Sequence, residues 1–337
     1  MKSMRAILFV LVTAGTASAA VDPVPPAYEF YASVAMTKAQ KNSSMPADSG
    51  LYRRDAQGAW HYFGPRILGI TGLAVHPADP RIVLIASADG VVRSVDGGRT
   101  WRKTTGWEVA DVRSIVFDPI QPNLVYAVTA WGPLRSADAG ATWQLAQKGL
   151  TRLFGQTLVV DAAVSGRVLI GTEDGVYVSR DAAQSWQRAK FPEVAVLRLA
   201  VGGAGAKVLL ATTQGRGAFV SRDGGDSWAP VDVATATANL YAAAIAPQDA
   251  GLLALGGWQT GVRVSRDGGR TWADRTAGLP GKNVFVLAFD PGVNGRLWAS
   301  TFEEGTFFSD DLGLTWQAGG LDGAYGSDFF FIPIARP

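Results

Sequence analysis

The sequence predicts an all-β protein, a single seven-bladed β-propeller of four-stranded antiparallel blades, and three observations carry that prediction. The string Ser-x-Asp-x-x-x-(Thr/Ser)-Trp occurs six times, at Ser94/Asp96/Trp101, Ser136/Asp138/Trp143, Ser179/Asp181/Trp186, Ser221/Asp223/Trp228, Ser265/Asp267/Trp272 and Ser309/Asp311/Trp316. A seventh copy, at Asp55 and Trp60, keeps the Asp-to-Trp spacing and lacks the Ser and Thr. From Trp60 to Trp316 the tryptophans lie 41, 42, 43, 42, 44 and 44 residues apart, the length of one four-stranded blade. Finally, 47% hydrophobic residues with 40 Gly and 17 Pro in a chain of 337 suit many short strands joined by tight turns.

The elements follow in chain order. Residues 1–20 are set apart: Lys2 and Arg5 precede the apolar run Ala6 to Val12, and small residues end it at Ala17-Ser-Ala19-Ala20. This is the pattern of a secretory signal peptide, with cleavage expected after Ala19 or Ala20, and residues 21–337 form the propeller domain. No later run approaches membrane length, so no integral membrane segment is expected once the signal is removed. With no cysteine, disulfides and thiolate metal sites are excluded, which fits a bacterial periplasm or secretion into the medium. Loss of Lys2 and Arg5 takes the 31 basic residues to 29, equal to the 29 acidic ones, and a neutral chain argues against nucleic acid as partner.

Within the repeat, Ile70 to Val75 reads as strand A, Arg81 to Ala86 as B, Val91 to Ser94 as C and Thr100 to Lys103 as D. The box is then the hairpin between C and D. Gly97 and Gly98 supply the positive φ of the turn, Asp96 accepts its backbone N–H groups, and Ser94 and Thr100 tie its ends. Trp101 is expected to wedge into the core of its own blade. A motif present on every blade marks no single active site, so the box residues are structural. The chain ends complete the count. Tyr28 to Val34 matches strand B, Gly50 to Arg53 strand C and Trp60 to Phe63 strand D, while Phe329 to Ile334 matches the strand A pattern of Ser114-Ile-Val-Phe-Asp-Pro119. The C-terminal strand is therefore expected to close the first blade and remove the sheet edges.

These boxes resemble the Asp-box (BNR) repeats of sialidases, of the Vps10 domains of sortilin-like receptors, of xyloglucanases and of the photosystem II assembly factor family. The resemblance covers nearly all of the chain after the signal; it implies the fold and leaves the function open, because those families share the box and differ otherwise. Sialidases carry an Arg-Ile-Pro motif near the first blade, whereas here the similar string is Phe331-Ile-Pro-Ile-Ala-Arg336, at the other end and without the arginine. No sialidase catalytic residue carries over. Xyloglucanases resemble the chain in box style but use a cleft between two propellers, and this chain has one ring.

The face opposite the boxes, where B-to-C and D-to-A loops converge, is where a ligand site is expected. Its B-to-C loops offer Asp89, Trp131, Glu173 with Asp174, Gln214 with Arg216, Trp258 with Gln259, and Glu303 with Glu304; the D-to-A loops add Arg66, Trp107, Glu108, Arg152 and Phe154. In the first blade the B-to-C loop is long, about Ala35 to Ser49, and reads as a lid or a plain insertion. Trp107, Trp131 and Trp258, with Gln259, Asp89 and Arg216, are the ligand-binding candidates, since indole faces stack on sugar rings while carboxylates and amides fix hydroxyls; each indole equally suits loop packing. Glu173, Asp174, Glu303 and Glu304 are the candidate acids, on blades three apart, should the face do glycosidase chemistry. Adjacent acids in tight turns are also what a solvated surface looks like.

Other chemistry finds little support. His61 and His76 are the only histidines, so no metal is expected, and no cofactor motif appears. Gly202-Gly-Ala-Gly205 is a strand connection by position, and the Asp-Gly-Gly strings lack the ligand spacing of a calcium loop. The expectation is an exported, non-catalytic propeller that binds a protein or glycan partner through the loop face; the alternative is a glycoside hydrolase or lectin-like glycan binder.

Overall fold

The computed structural model describes residues 28–35, 49–67, 69–202, 208–231 and 233–334. The expected signal peptide, most of the Ala35–Ser49 loop and all of the Gly202–Gly205 connection except Gly202 lie outside the described residues. Twenty-eight strands among the described residues form seven four-stranded sheets. Blade 2, in chain order, is Gly72–Val75, Val83–Ser87, Gly90–Ser94 and Arg102–Lys103. Blades 3 to 7 repeat that order with first strands at Val112–Phe117, Gly155–Val160, Val196–Gly202, Leu240–Ala246 and Val284–Phe289. All pairings within the blades are antiparallel, and the first strands of neighbouring blades pack on one another as the inner ring.

The ring closes as the sequence predicts. Blade 1 takes its inner strand, Tyr325–Pro333, from the end of the chain and its other three, Tyr28–Ala35, Gly50–Arg54 and Trp60–Phe63, from the beginning. The two segments pair from Tyr28 with Pro333 to Ala35 with Tyr325, so no inner strand is left without its sheet. The seam nearest this closure is aromatic: Phe30 stacks on Phe331 at 4.5 Å and meets Trp298 of blade 7 at 4.7 Å.

The box network is as expected. Asp96 Oδ1 accepts the N–H groups of Arg99 and Thr100 at 3.0 and 2.9 Å, Oδ2 accepts the Thr100 hydroxyl at 2.6 Å, and the buried Ser94 hydroxyl donates to Oδ1 while accepting the Gly98 N–H. The Thr hydroxyl is the main reason that Asp96, Asp267 and Asp311 are held well below the ordinary carboxylate range, Asp311 at about 2. At Asp138, Asp181 and Asp223 partial burial works against ionisation, and the same hydroxyl and N–H donors outweigh it, so these carboxyls are depressed too. In the eroded box His61 Nε2 stands 2.6 Å from Asp55 Oδ2, in the place of the missing hydroxyl, and that bond leads the lowering of the Asp55 carboxyl.

Two expectations about the box need correction. The fourth strand of blade 2 is Arg102–Lys103 alone, because Thr100 is held by Asp96 and Trp101 leaves the ladder. Nor do the tryptophans sit within single blades. Trp101 packs with Phe63 of blade 1 and with the cluster that joins blades 1 and 2, and of the seven box tryptophans only Trp186, 4% exposed, is fully buried. The hydrophobic core as a whole is divided among seven clusters, each between neighbouring blades. A blade has two faces and no inside, so its bulkiest side chain finds cover only against the next blade. Trp60, Trp143, Trp186 and Trp316 donate their indole N–H to the preceding blade, at Gly319, Thr104, Ala146 and Arg275. Trp101, Trp228 and Trp272, in the three boxes that read Asp-Gly-Gly, donate instead to Gly98, Gly225 and Gly269 of their own turns.

Polar links cross the same seams. The Nε of Arg93 and of Arg135 donate to Ala139 and Ala182 in the box of the next blade at 2.9 and 2.8 Å, and Arg222 donates from Nη2 to Gly268 in the box of blade 6. At the exits of the first strands, Asp118 Oδ1 accepts the N–H groups of Ile120 and Gln121 while Oδ2 accepts Gly166 N–H and the Ser165 hydroxyl of blade 4. His76 Nδ1 takes the N–H groups of Ala78 and Asp79 in the equivalent turn.

Candidate functional site

The antiparallel order puts the A-to-B and C-to-D turns, boxes included, on one face of the ring and the B-to-C and D-to-A connections on the other. The inner strands open onto that second face through a β-bulge. In blades 3 to 7 the register slips at the second residue of strand A, at Arg113, Gln156, Leu197, Tyr241 and Phe285 in turn, and blade 1 slips at Ser327. A bulge takes one residue out of the ladder and re-aims its side chain, so each of these six blades presents one such residue at the channel mouth, while blade 2 pairs in even register.

The mouth has two halves. On the side of blades 3 and 4, Arg113 donates from Nε and Nη2 to Asp111 Oδ2 at 3.1 and 2.7 Å and from Nη1 to Gln156 Oε1 at 2.7 Å, and its guanidinium lies 4.6 Å from the Phe154 ring centre. On the side of blades 6, 7 and 1 the lining is aromatic. Tyr241 stacks on Phe285 at 4.8 Å, Phe285 meets Tyr325 edge-on at 5.1 Å, and Phe302 lies 5.6 Å from both. Trp258, 46% exposed, stands edge-on to Phe302 at 5.9 Å and to Phe285 at 6.2 Å. Burial raises the Tyr325 phenol above its ordinary value, with Tyr241 adding to the effect. Beneath the mouth, Arg198 Nη2 of blade 5 reaches Asp328 Oδ1 of blade 1 at 2.6 Å, an ion pair between strands on opposite sides of the channel.

The residues singled out from the sequence are distributed unevenly over this face. Trp258 joins the aromatic half of the mouth. Gln259, at φ 57°, is turned away to the next blade, where its N–H and Nε2 both donate to Asn283 Oδ1. Trp131, 65% exposed, instead lines a cleft between blades 2 and 3 with Glu108 and Trp143, and Trp107, 91% exposed, projects from the connection beside it. Asp89 and Arg216 are exposed on the turns of blades 2 and 5.

The acids are equally dispersed. Glu173 is exposed on its turn, its N–H donating to the Phe154 carbonyl. Asp174 is enclosed by hydroxyls: burial works against its charge, but Thr172, Thr151 and Tyr177 donate to it at 2.7, 2.8 and 2.9 Å and hold the carboxyl below its ordinary range. Glu303 is half-buried beside Phe302 at φ 62°, and Glu304 is exposed with its N–H on Thr301. Tyr241, Phe285, Phe302 and Tyr325 were not among the sequence candidates. Tyr241 and Phe285 share one repeat position with Arg113, Gln156 and Leu197; comparing that column across blades finds them, whereas a search of the loops does not.

Comparison with known proteins agrees with this architecture. A family model described as Sortilin-Vps10, sortilin, neurotensin receptor 3, matches residues 132–250. No curated protein gives a significant match. Among solved structures, a GH74 enzyme of Niastella koreensis is similar with a TM-score of 0.70 at 17% identity, over 87% of this chain and 55% of that one. YCF48 bound to a D1 peptide is similar with a TM-score of 0.60 at 17% identity, over 81% and 96%. Sqt1 of Chaetomium thermophilum, bound to the N-terminus of ribosomal protein L10, is similar with a TM-score of 0.58 at 14% identity, over 79% of each. The chain spans about half the length of the GH74 enzymes it matches. The likeness bears out the resemblance read from the boxes, and at these identities it is a likeness of fold alone.

Proposed function

We propose that this protein is an exported, non-catalytic scaffold that holds an extended segment of a protein partner across the channel mouth. The observation that carries the reading is the aromatic shelf of Tyr241, Phe285, Phe302, Tyr325 and Trp258. Five rings packed on one another, stacked or edge to face, hold the shelf in place, so a partner side chain gains apolar contact there without the entropy of ordering the site. The ion-paired Arg198 and Asp328 bridge the channel below, which favours a ligand lying across the mouth. Two rings of similar fold, YCF48 and Sqt1, hold a peptide or a protein terminus in their solved complexes, and this supports a segment as ligand here. Export rests on the pattern of residues 1–20.

The alternative is a glycan, bound or cleaved. Cleavage needs one carboxyl kept protonated as the acid and a second kept ionised. The hydroxyl donors around Asp174 favour its ionised form, so it is unsuited to the acid role, and the mixed mouth fits side chains better than a row of hydroxyls.

Photo-crosslinking tests the proposal. A benzophenone amino acid at position 258 is expected to capture a discrete protein in the producing cells, and the same group at Val164, exposed on the box face, is not. The adduct should disappear when Phe302→Ala is added. Capture of a glycan, or equal capture from positions 258 and 164, would overturn the reading.

A further inference from the structure

The three most exposed large apolar side chains among the described residues, Trp107, Trp131 and Leu145 at 91, 65 and 63%, all stand along one seam, between blades 2 and 3. That seam contains a cleft of about 580 Å³ whose apolar walls are Val109, Trp131, Leu134, Trp143 and Leu145. At Thr104 it continues into a second cleft of about 400 Å³, on the box side, lined by Arg93, Arg102 and Lys103 and by no acidic residue. Thr104 belongs to both, and the Trp143 indole N–H bonds its hydroxyl at 3.1 Å, so the junction is fixed by a contact across the seam. We propose that this groove is a second docking site, independent of the channel mouth, for an extended protein segment that is acidic in one part and apolar in the next.

Charge complementarity selects the occupant. Arg102 and Lys103 are exposed and have no ion-pair partner among the described residues, and Arg93 spends only its Nε on Ala139. The carboxylates of the two adjoining boxes, Asp96 and Asp138, are taken up by the donors of their own turns, and Glu108 lines the apolar cleft rather than the cationic one. On the far side of Leu145 the next cleft adds Arg135 and Lys148. An acidic stretch therefore meets uncompensated cations at the box end, and the residues following it meet Trp131 and Leu145. The groove also runs along the outermost strand of blade 3, Gln144–Leu145, whose outer edge pairs with no strand, so an extended segment finds main-chain groups to bond as well. A cleft of this form excludes a flat lipid surface, and its two unlike ends distinguish it from a site for a uniformly charged polymer.

The experiment is selection of a random twelve-residue display library on the full chain at low salt, followed by anisotropy measurements on the synthesised binders. Peptides with clustered Asp or Glu adjoining aromatic or aliphatic residues are expected, bound more weakly as salt is raised. Arg102→Glu/Lys103→Glu and, separately, Trp131→Ala should each lower their affinity tenfold or more, while Trp258→Ala leaves it within twofold. All of these side chains are exposed, and an unchanged thermal midpoint confirms that each variant is folded. Enrichment of peptides without acidic residues, affinity indifferent to the blade 2 and 3 substitutions, or loss on Trp258→Ala would each overturn the proposal. So would a binder displaced by vesicles of anionic phospholipid.

Discussion

Asp118→Asn is a one-atom test of how the blades are held together. Asp118 is 1% exposed and has no cationic partner among the described residues; its charge is stabilised by hydrogen-bond donors. Burial works against that charge, and the N–H groups of Gln121, Gly166 and Ile120 outweigh it, which places the carboxyl below its ordinary value. In the amide, one oxygen becomes an NH₂ group. If Nδ2 takes the place of Oδ2 it faces the buried Gly166 N–H at about hydrogen-bond distance, and if it takes the place of Oδ1 it faces two N–H groups. Either orientation sets donor against donor, leaving the buried Gly166 N–H or the two part-buried N–H groups of Ile120 and Gln121 unsatisfied at about 1–3 kcal/mol each; with the loss of the charge-assisted bonds the total is about 2–4 kcal/mol. For a ring of about 300 residues the unfolding entropy is about 0.6 kcal/mol/K, which converts the loss into about 3–7 °C of thermal midpoint. The assay is calorimetry of wild type, Asp118→Asn and Asp161→Asn. Asp161 Oδ1 accepts a single N–H, from Ala163, in the equivalent turn of blade 4, and its variant should fall by about 1–2 °C at most. Amide exchange at Gly166 should accelerate only in Asp118→Asn. A midpoint for Asp118→Asn within 1 °C of wild type would refute the reasoning.

Three further outcomes follow from the same structure. The seven box carboxyls are depressed in the folded state, so their contribution to stability is present above the unfolded carboxylate value of about 4 and is lost as pH falls through the folded values. Thermal midpoints are therefore expected to fall steeply below pH about 4, and a decline already complete by pH 5 would contradict the box network. Trp298 is 1% exposed and its indole N–H meets Asp290 Oδ2 at 3.2 Å, so Trp298→Ala should cost about 3–5 kcal/mol in urea unfolding, with Trp298→Phe costing less. Arg198→Met and Asp328→Asn, combined in a double-mutant cycle, should show a coupling of about 1–2 kcal/mol; additive effects would mean that the channel pair contributes nothing.

The blade count and the closure were legible because both rest on the chain itself: the interval between tryptophans is the length of a blade, and the missing strand at one end reappears at the other. The box bonds were legible too, since Ser94, Asp96 and Thr100 reach one another within a single turn. What lay beyond the sequence depends on two blades at once. The seating of Trp101 against Phe63, the split between indoles that reach back and those that fold onto their own turn, and the link from Asp118 to Gly166 all require the neighbouring blade. The face and Trp258 were legible, but the strand A residues of the channel mouth were missed for a related reason. Strand A reads as an even alternation of core residues, and a bulge that re-aims Tyr241 and Phe285 leaves no local mark in that alternation. Of the tryptophans chosen for exposure, Trp258 meets the mouth cluster while Trp107 and Trp131 belong to a lateral groove, a division set by where the blades abut.

The pairing of Tyr28 with Pro333 also decides how the molecule is oriented by whatever it is joined to. Both ends of the described chain leave the ring side by side, from the box face, directly opposite the channel mouth. A linker, a tag or a surface attached at either end thus pulls on the same point and turns the mouth outward. Immobilisation through a terminus keeps the aromatic shelf accessible without a spacer, and joining residue 28 to residue 333 while opening the chain at a box turn on another blade should return the same ring with its tether moved to a new seam.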